Sequence, residues 1–162
     1  MPATFEDLRV LQAAESIADE IWKRVTLWNE FARDVVGKQL ARAADSIGAN
    51  IAESFGRFNF GEKIQFLYYS RGSLFETKYW LNRGRARELI DEVEAREYAD
   101  RLTRLARELN SFAGSLKTVR AKTPKQKSSA TIRESALEYA ASSPDEFSEP
   151  LFSEEDFVWL NS

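Results

Sequence analysis

The 162-residue chain contains no cysteine and no histidine. Without cysteine it forms no disulfide and offers no thiolate to a metal. Without histidine it lacks the commonest general base and metal ligand, so Ser-His-Asp, Cys-His and Glu-x-x-His sites are excluded. "GRFNFGEK" has neither the preceding strand nor the following Lys-Ser/Thr of a phosphate-binding loop. These absences predict a protein that is not an enzyme and needs no cofactor or metal.

Long apolar runs are also missing. No run approaches the roughly 20 residues of a membrane span, and "MPATFEDLRV" at the start lacks the basic-then-apolar layout of a signal peptide. We therefore expect a cytoplasmic protein without a membrane partner. The content of 43% hydrophobic and 30% charged residues is ordinary for a soluble globular domain.

Basic residues are lacking at the C-terminal end of the chain. Residues 1–120 hold 19 Lys/Arg and 18 Asp/Glu, whereas residues 121–162 hold 4 and 8. Helical periodicity stops at Pro124, where Lys, Ser and Thr take over. The sequence therefore predicts one folded domain over 1–120 and a mostly disordered, acidic tail over 121–162.

Apolar residues within 1–120 recur at helical spacing, and no segment alternates as a strand does. Thr4 with Asp7, Asn59 with Glu62, and Asp91 with Glu94 mark three helix starts. The last helix carries a heptad seam of Tyr98, Leu102, Leu105, Leu109, Phe112, Leu116 and Val119. Four long helices joined by short turns predict an all-α, antiparallel, up-down-up-down four-helix bundle.

Polar residues interrupt the second helix, at about 32–57, in the stretch "SIGANIAESFGR". Asn50 and Glu53 flank its apolar stripe, and Arg71 projects from the apolar face of the third helix. We predict an internal polar network of these three residues, in which Glu53 neutralises Arg71. Gly48 and Gly56 lower helix propensity, which indicates close packing of a neighbour there. The alternative is a solvated flank.

The third helix carries a second, partly aromatic stripe besides its apolar face. We predict that this stripe is the interface of a homo-oligomer; it consists of Phe66, Tyr69, Ser73 and Trp80.

Large apolar residues among acids distinguish the tail from a plain linker. Segments of this kind bind a partner groove or a basic surface, so we predict that the tail docks an unknown protein partner through Phe147, Leu151, Phe152, Phe157, Trp159 and Leu160. The alternative is that the tail packs back onto its own bundle or a neighbouring subunit.

Arginines cluster around the third turn and along the fourth helix. Arg83, Arg85, Arg87, Arg101 and Arg104 are the candidates for contact with RNA or DNA phosphates. Acids four residues before Arg101 and Arg104 instead favour an ion-paired, exposed face for that group. A scaffold that docks a protein therefore stands beside a nucleic-acid-binding accessory protein as a second hypothesis.

Two motifs resemble the bacterial four-helix-bundle family of 23S rRNA intervening-sequence proteins, over roughly residues 5 to 118. One comprises Gln39, Arg42, Ala43, Ser46, Ile47, Asn50, Ile51, Ala52, Glu53 and Arg57; the other comprises Phe66, Leu67, Arg71, Gly72, Ser73, Leu74 and Glu76. The chain departs from the family pattern at Ala41 and Ser54 and in its acidic tail. The resemblance implies a homopentamer, and a relation to accessory proteins of diversity-generating retroelements, which bind reverse transcriptase and nucleic acid.

Overall fold

The computed structural model describes residues 8–122 and 149–162, and all regular secondary structure in these ranges is helical. The helices are α1 (Arg9–Val25), α2 (Lys38–Gly56), α3 (Phe60–Ala86), α4 (Glu92–Lys122) and α5 (Glu154–Leu160). An α-helical turn at Glu30–Ala32 and a π-helical turn at Arg33–Gly37 lead into α2. The all-α prediction is confirmed for these ranges. Thr4, Asp7 and residues 123–148 of the tail lie outside the described residues.

Local capping explains where two of the helices begin. The Asp91 carboxylate accepts a hydrogen bond from the Glu94 backbone N–H at 2.8 Å, which confirms the predicted start of α4. Asn29 likewise accepts from the Ala32 N–H at 2.9 Å, at the turn that leads into α2. Asn59 is the N-cap residue of α3, as predicted, although its side chain makes no capping hydrogen bond there.

The core lies where the apolar stripes of the four long helices meet. α1 packs against α2 and α4, and α3 packs against the same two helices. Each large aliphatic side chain removed from water contributes roughly 1.5–3 kcal/mol. Side chains that are at most 1% exposed include Ile21, Leu40, Ile47, Ile51, Leu67, Leu74, Leu102, Leu105 and Leu109. The heptad seam of α4 leaves the core before its end, since Val119 is 63% exposed.

Buried serines join α2 to α3. The Ser54 hydroxyl donates to the Lys63 carbonyl oxygen at 2.8 Å, and the Ser70 hydroxyl donates to the Ile47 carbonyl oxygen at 3.0 Å. The first pair lies near the connection between the helices and the second lies farther away, so α2 and α3 run antiparallel. Because both buried hydroxyls are hydrogen-bonded, neither leaves an uncompensated desolvation cost.

Trp28, in the loop that follows α1, packs between two glycines, one in the π-helical turn and one in α3. A Cβ atom on Gly37 would lie 2.5 Å from Val25 Cγ1 and 3.5 Å from the Trp28 ring. A Cβ on Gly84 would lie 2.9 Å from Ile90 Cδ1 and 3.8 Å from the same ring. The absence of side chains at these two positions therefore allows the indole to be 93% buried, with a relative exposure of 7%.

Gly48 and Gly56, which the sequence analysis predicted to be closely packed, are less crowded than Gly37 and Gly84. A Cβ on Gly48 would make ordinary 3.8 Å contacts with Leu11 and Ala14 of α1, and a Cβ on Gly56 would meet nothing within 4 Å. The prediction of close packing is therefore wrong for Gly56.

None of the helices in the described ranges is long and apolar enough to cross a membrane.

Replacing Gly37 with alanine should destabilise the protein by about 1–3 kcal/mol, because the stiff, buried Val25 side chain must move away from the new methyl group. Gly72→Ala on α3 is the matched control: its Cβ meets open space, so higher helix propensity should stabilise the protein by up to about 1 kcal/mol. Urea denaturation followed by circular dichroism measures both. A Gly37→Ala protein as stable as Gly72→Ala would show that the contact at Gly37 is not tight.

Candidate functional site

Residues 149–162, here called the C-terminal segment, lie on the outer face of α3 and α4 of their own chain. Phe152 is 1% exposed and Leu160 is 0% exposed, and Leu151 and Phe157 are buried as well. The surface that receives them, here called the docking groove, is formed by Arg71 and Phe75 of α3 and by Arg107, Asn110 and Lys117 of α4.

The Asn110 side chain binds the backbone of the segment with both ends of its amide. Its Nδ2 donates to the Phe152 carbonyl oxygen at 2.9 Å, and its Oδ1 accepts from the Phe152 N–H at 2.7 Å. A single amide thus satisfies the donor and the acceptor of one backbone residue. The contact fixes the position of the segment on α4 without depending on the segment's side chains.

Arg71 holds the segment from α3. Its Nη2 donates to both carboxylate oxygens of Asp156, at 3.2 and 3.3 Å. The guanidinium carbon also lies 4.7 Å from the Phe75 ring centroid and 5.7 Å from the Phe152 ring centroid. Such contacts combine a charge-assisted hydrogen bond with cation–π attraction.

Aromatic rings and two further cations complete the contact. Phe75 stacks on Phe152 at 5.9 Å and on Trp159 at 5.2 Å between ring centroids. Arg107 lies 4.2 Å above the Phe157 ring centroid. The Lys117 ammonium donates to the Glu149 carbonyl oxygen at 2.8 Å, so the segment is held from its first described residue onward.

Asp156 also organises the segment itself. Its carboxylate accepts from the Ser153 N–H at 2.8 Å, and the Ser153 hydroxyl accepts from the Asp156 N–H at 3.2 Å, which together form a capping box at the start of α5. Partial burial raises the pKa of Asp156. The hydrogen bonds from Ser153 and Arg71 and the charge of Arg71 outweigh burial and hold that pKa below its usual 3.8.

The predicted pair of Glu53 and Arg71 is wrong. Glu53 forms an ion pair with Arg57, one turn along α2, whereas Arg71 bonds to Asp156 of the C-terminal segment. Asn50 does link the helices, because its Nδ2 donates to the Ser46 carbonyl oxygen at 2.8 Å and to the Ser73 hydroxyl at 3.4 Å. The hydrogen bonds that Asn50, Ser54 and Ser70 make between α2 and α3 are therefore neutral, and the charge of Arg71 is neutralised by the C-terminal segment.

The tail residues predicted to dock a partner are mostly buried in their own chain. Leu151, Phe152, Phe157 and Leu160 fill the docking groove, so for residues 149–162 the alternative prediction, that the tail packs back onto its own bundle, describes this structure. Trp159 remains 39% exposed beside Phe75. Phe147 lies outside the described residues.

The arginines predicted to bind nucleic acid differ in their charge partners. Arg85 contacts Glu92 at 3.4 Å, and Arg101 forms an ion pair with Glu20 and bonds to Ser16. Within 8–122 and 149–162, no ion pair involves the other three, which are Arg83, Arg87 and Arg104. The structure does not gather the five into one uncompensated basic patch.

The predicted oligomer stripe lies along the border between α3 and α2. Phe66 packs under the Arg57 guanidinium at 4.7 Å, and Ser73 bonds to Asn50. Tyr69 is 50% exposed, and the half-buried Trp80 donates to Glu76 at 3.4 Å. Half of the stripe thus contacts α2 within the chain, and its role in self-association stays a prediction.

Three groove residues escaped the sequence reasoning as site residues: Phe75, Asn110 and Lys117. Asn110 left a faint signal, since asparagine has low helix propensity yet lies within a long helix, next to the heptad residue Leu109. Phe75 and Lys117 match an ordinary boundary pattern. Among the residues that the structure covers, no group of three or more acids is placed to hold a metal ion.

The geometry defines a helical bundle that holds an acidic, aromatic peptide segment in a surface groove. The chain belongs to the family described as 23S rRNA-intervening sequence protein, whose model matches residues 6–111. This match confirms the resemblance seen in the two sequence motifs. It includes Arg71, Phe75, Arg107 and Asn110 of the groove but not the C-terminal segment. A search of the curated proteins gave no match.

Acid should release the C-terminal segment from the groove. Because Ser153 and Arg71 together lower the pKa of Asp156 in the capped and docked segment, the contribution of this carboxylate is complete above about pH 4 and disappears as pH falls through the lowered value. We expect the indole N–H resonance of Trp159, assigned with Trp159→Phe, to move toward its unfolded position below pH 4. In the Asp156→Asn variant, the Trp159 resonance should not show this shift below pH 4. A transition of equal size in both proteins would assign the acid response to other carboxylates.

Proposed function

We propose that the protein is a non-enzymatic helical scaffold whose docking groove binds a short, acidic and aromatic protein segment. The observation that carries this proposal is the two-point hydrogen bond between Asn110 and the Phe152 backbone. It supports binding of an extended peptide, because every peptide presents this donor and acceptor while the side-chain contacts supply selectivity.

The C-terminal segment, which occupies the groove in this structure, indicates the chemistry of the ligand that the groove prefers. A Leu-Phe pair precedes a helical turn capped by Ser153, and the turn presents Asp156 to Arg71 and Phe157 to Arg107. The three groove cations, Arg71, Arg107 and Lys117, favour an acidic ligand. A partner protein would therefore either displace the C-terminal segment with a similar sequence or bind the segment after its release.

Three observations outside the groove also support the scaffold proposal. The chain has no histidine or cysteine for catalysis. The antiparallel pair α2 and α3 supports an up-down-up-down bundle. Exposed apolar side chains support self-association: Phe31 is 78% exposed and lines a groove of about 400 Å³ with Val35 and Leu89. We propose a homo-oligomer on this basis, with five copies as the number that the family resemblance implies.

A peptide-binding experiment tests the groove. The full-length double variant Phe152→Ser/Phe157→Ser should leave the groove accessible, and isothermal titration calorimetry should detect binding of a synthetic peptide of residues 149–162. Adding Asn110→Ala should weaken that binding by about tenfold, because two net hydrogen bonds of roughly 0.5–1.5 kcal/mol each are removed. Ser111→Ala, an exposed neighbour on α4, is the matched control and should bind like the parent. Absence of binding to the parent double variant would refute the docking groove.

Contact with RNA is a second candidate, favoured by the family's description and by Arg83 and Arg87 at the end of α3, which form no ion pair with any residue in 8–122 or 149–162. Their four-residue spacing places both on one face, where they can contact neighbouring phosphates. The implied relation to retroelement accessory proteins agrees with a nucleic-acid ligand. The near balance of charge over 1–120 keeps this candidate second.

Salt dependence distinguishes RNA contact from protein docking. If Arg83 and Arg87 each neutralise one phosphate of a ribosomal RNA hairpin, Arg83→Gln/Arg87→Gln should reduce the slope of log K against log salt by about 2. Arg101→Gln is the control, because Arg101 is already paired with Glu20. Fluorescence anisotropy at several salt concentrations gives both slopes. Equal slopes for the double variant and the unmodified protein would exclude these arginines as phosphate contacts.

A further inference from the structure

We propose that the docking groove of one copy binds the C-terminal segment of a second copy, so that exchanged segments link copies of this chain. This inference rests on the proposed docking groove and names its partner. It requires that the segment be separable from its own bundle, that its connection reach another copy, and that its chemistry match the groove.

The segment is a self-contained unit. Its capping box is formed by Ser153 and Asp156, which both belong to the segment. Its hydrogen bonds and ion pair to the rest of the described protein involve Arg71 of α3 and Asn110 and Lys117 of α4. The same contacts can therefore form with the groove of another copy without the loss of any, which is the condition that makes segment exchange between identical chains inexpensive.

The connection is longer than attachment to its own groove requires. Lys117 contacts Glu149, and α4 continues five residues beyond Lys117, which is about 7.5 Å along the helix axis. Twenty-six residues, 123–148, join these neighbouring points, although most connections in compact domains have about 4–6 residues. Fully extended, 26 residues span up to about 90 Å, which is enough to reach the groove of an adjacent copy.

Charge complementarity identifies the occupant. The segment contributes four acids and no base, which are Glu149, Glu154, Glu155 and Asp156. It faces the groove cations Arg71, Arg107 and Lys117. A second copy supplies this same segment at a concentration equal to that of the grooves. Because the tether gives the segment an effective concentration on the order of millimolar at its own groove, exchange should dominate only when copies are assembled side by side or concentrated to that level.

Two full-length variants with reversed charges test the exchange. Arg71→Glu and Asp156→Arg each place like charges together within one chain, so amide hydrogen exchange across residues 151–160 should accelerate by at least about tenfold in each variant alone. In an equimolar mixture, the unaltered segment of the Arg71→Glu copy meets the unaltered groove of the Asp156→Arg copy. We expect the protection of that segment to return. Mass spectrometry separates the two segments by mass, and circular dichroism checks that both bundles fold.

Each outcome has a distinct meaning. If the segment stays protected in both single variants, the charged contact does not hold it: the docking groove then stands on its other contacts, and the charge match that assigns its occupant to a second copy is overturned. If both variants release the segment and the mixture does not restore the protection of its amides, docking stands but occurs within one chain. Segment exchange between copies is then refuted. If the groove amides become protected from hydrogen exchange only when an RNA hairpin or an unrelated acidic peptide is added, the groove takes a foreign ligand. Segment exchange between copies is then again refuted.

Cross-linking provides a test that leaves Arg71 and Asp156 unchanged. Since the chain has no cysteine, Lys117→Cys in one copy and Glu149→Cys in another are the only thiols in a mixture. A short bismaleimide should join them into a two-chain product at several times the yield from either variant alone. A yield no higher than that of the separate variants would overturn the exchange.

Discussion

The positive charge of Arg71 organises the outer face of this bundle. It projects from α3 beside Phe75, where an unpaired guanidinium would be costly to shield from water. The Asp156 carboxylate neutralises it, and the same carboxylate caps the helix that carries Phe157 and Leu160. One charge pair thereby joins the C-terminal segment to α3 and caps the helix that carries its buried apolar side chains.

The groove and its occupant have different relations to the family. The matched region, residues 6–111, contains four of the five groove residues, whereas Lys117 and the segment lie beyond it. The acidic segment of this chain therefore occupies a surface that is formed mainly by residues of the family-matched region.

The unusual polar stretch in α2 has an architectural explanation. Ser54 bonds to the backbone of α3, and Asn50 bonds to Ser73 of α3, while Ser70 of α3 bonds back to the α2 backbone. Small hydroxyl and amide side chains let two helices approach and still satisfy their buried polar atoms. Leucine or lysine at these positions would hold the helices apart or leave backbone-directed hydrogen bonds unmade.

The sequence by itself determined the helical class, the family and the core positions, because helical periodicity and capping are local properties of the chain. The Asp91 cap of α4 and the buried α4 residues Leu102, Leu105 and Leu109 follow from spacing alone. Only the tertiary structure decided which charges pair. Glu53 and Arg71 lie on neighbouring helices, yet they do not pair with each other. Glu53 pairs with Arg57, one helical turn away, and Arg71 pairs with Asp156, 85 residues along the chain. Contacts between such distant residues depend on how helices and segments pack in space, and the spacing of apolar residues along the chain does not specify that packing.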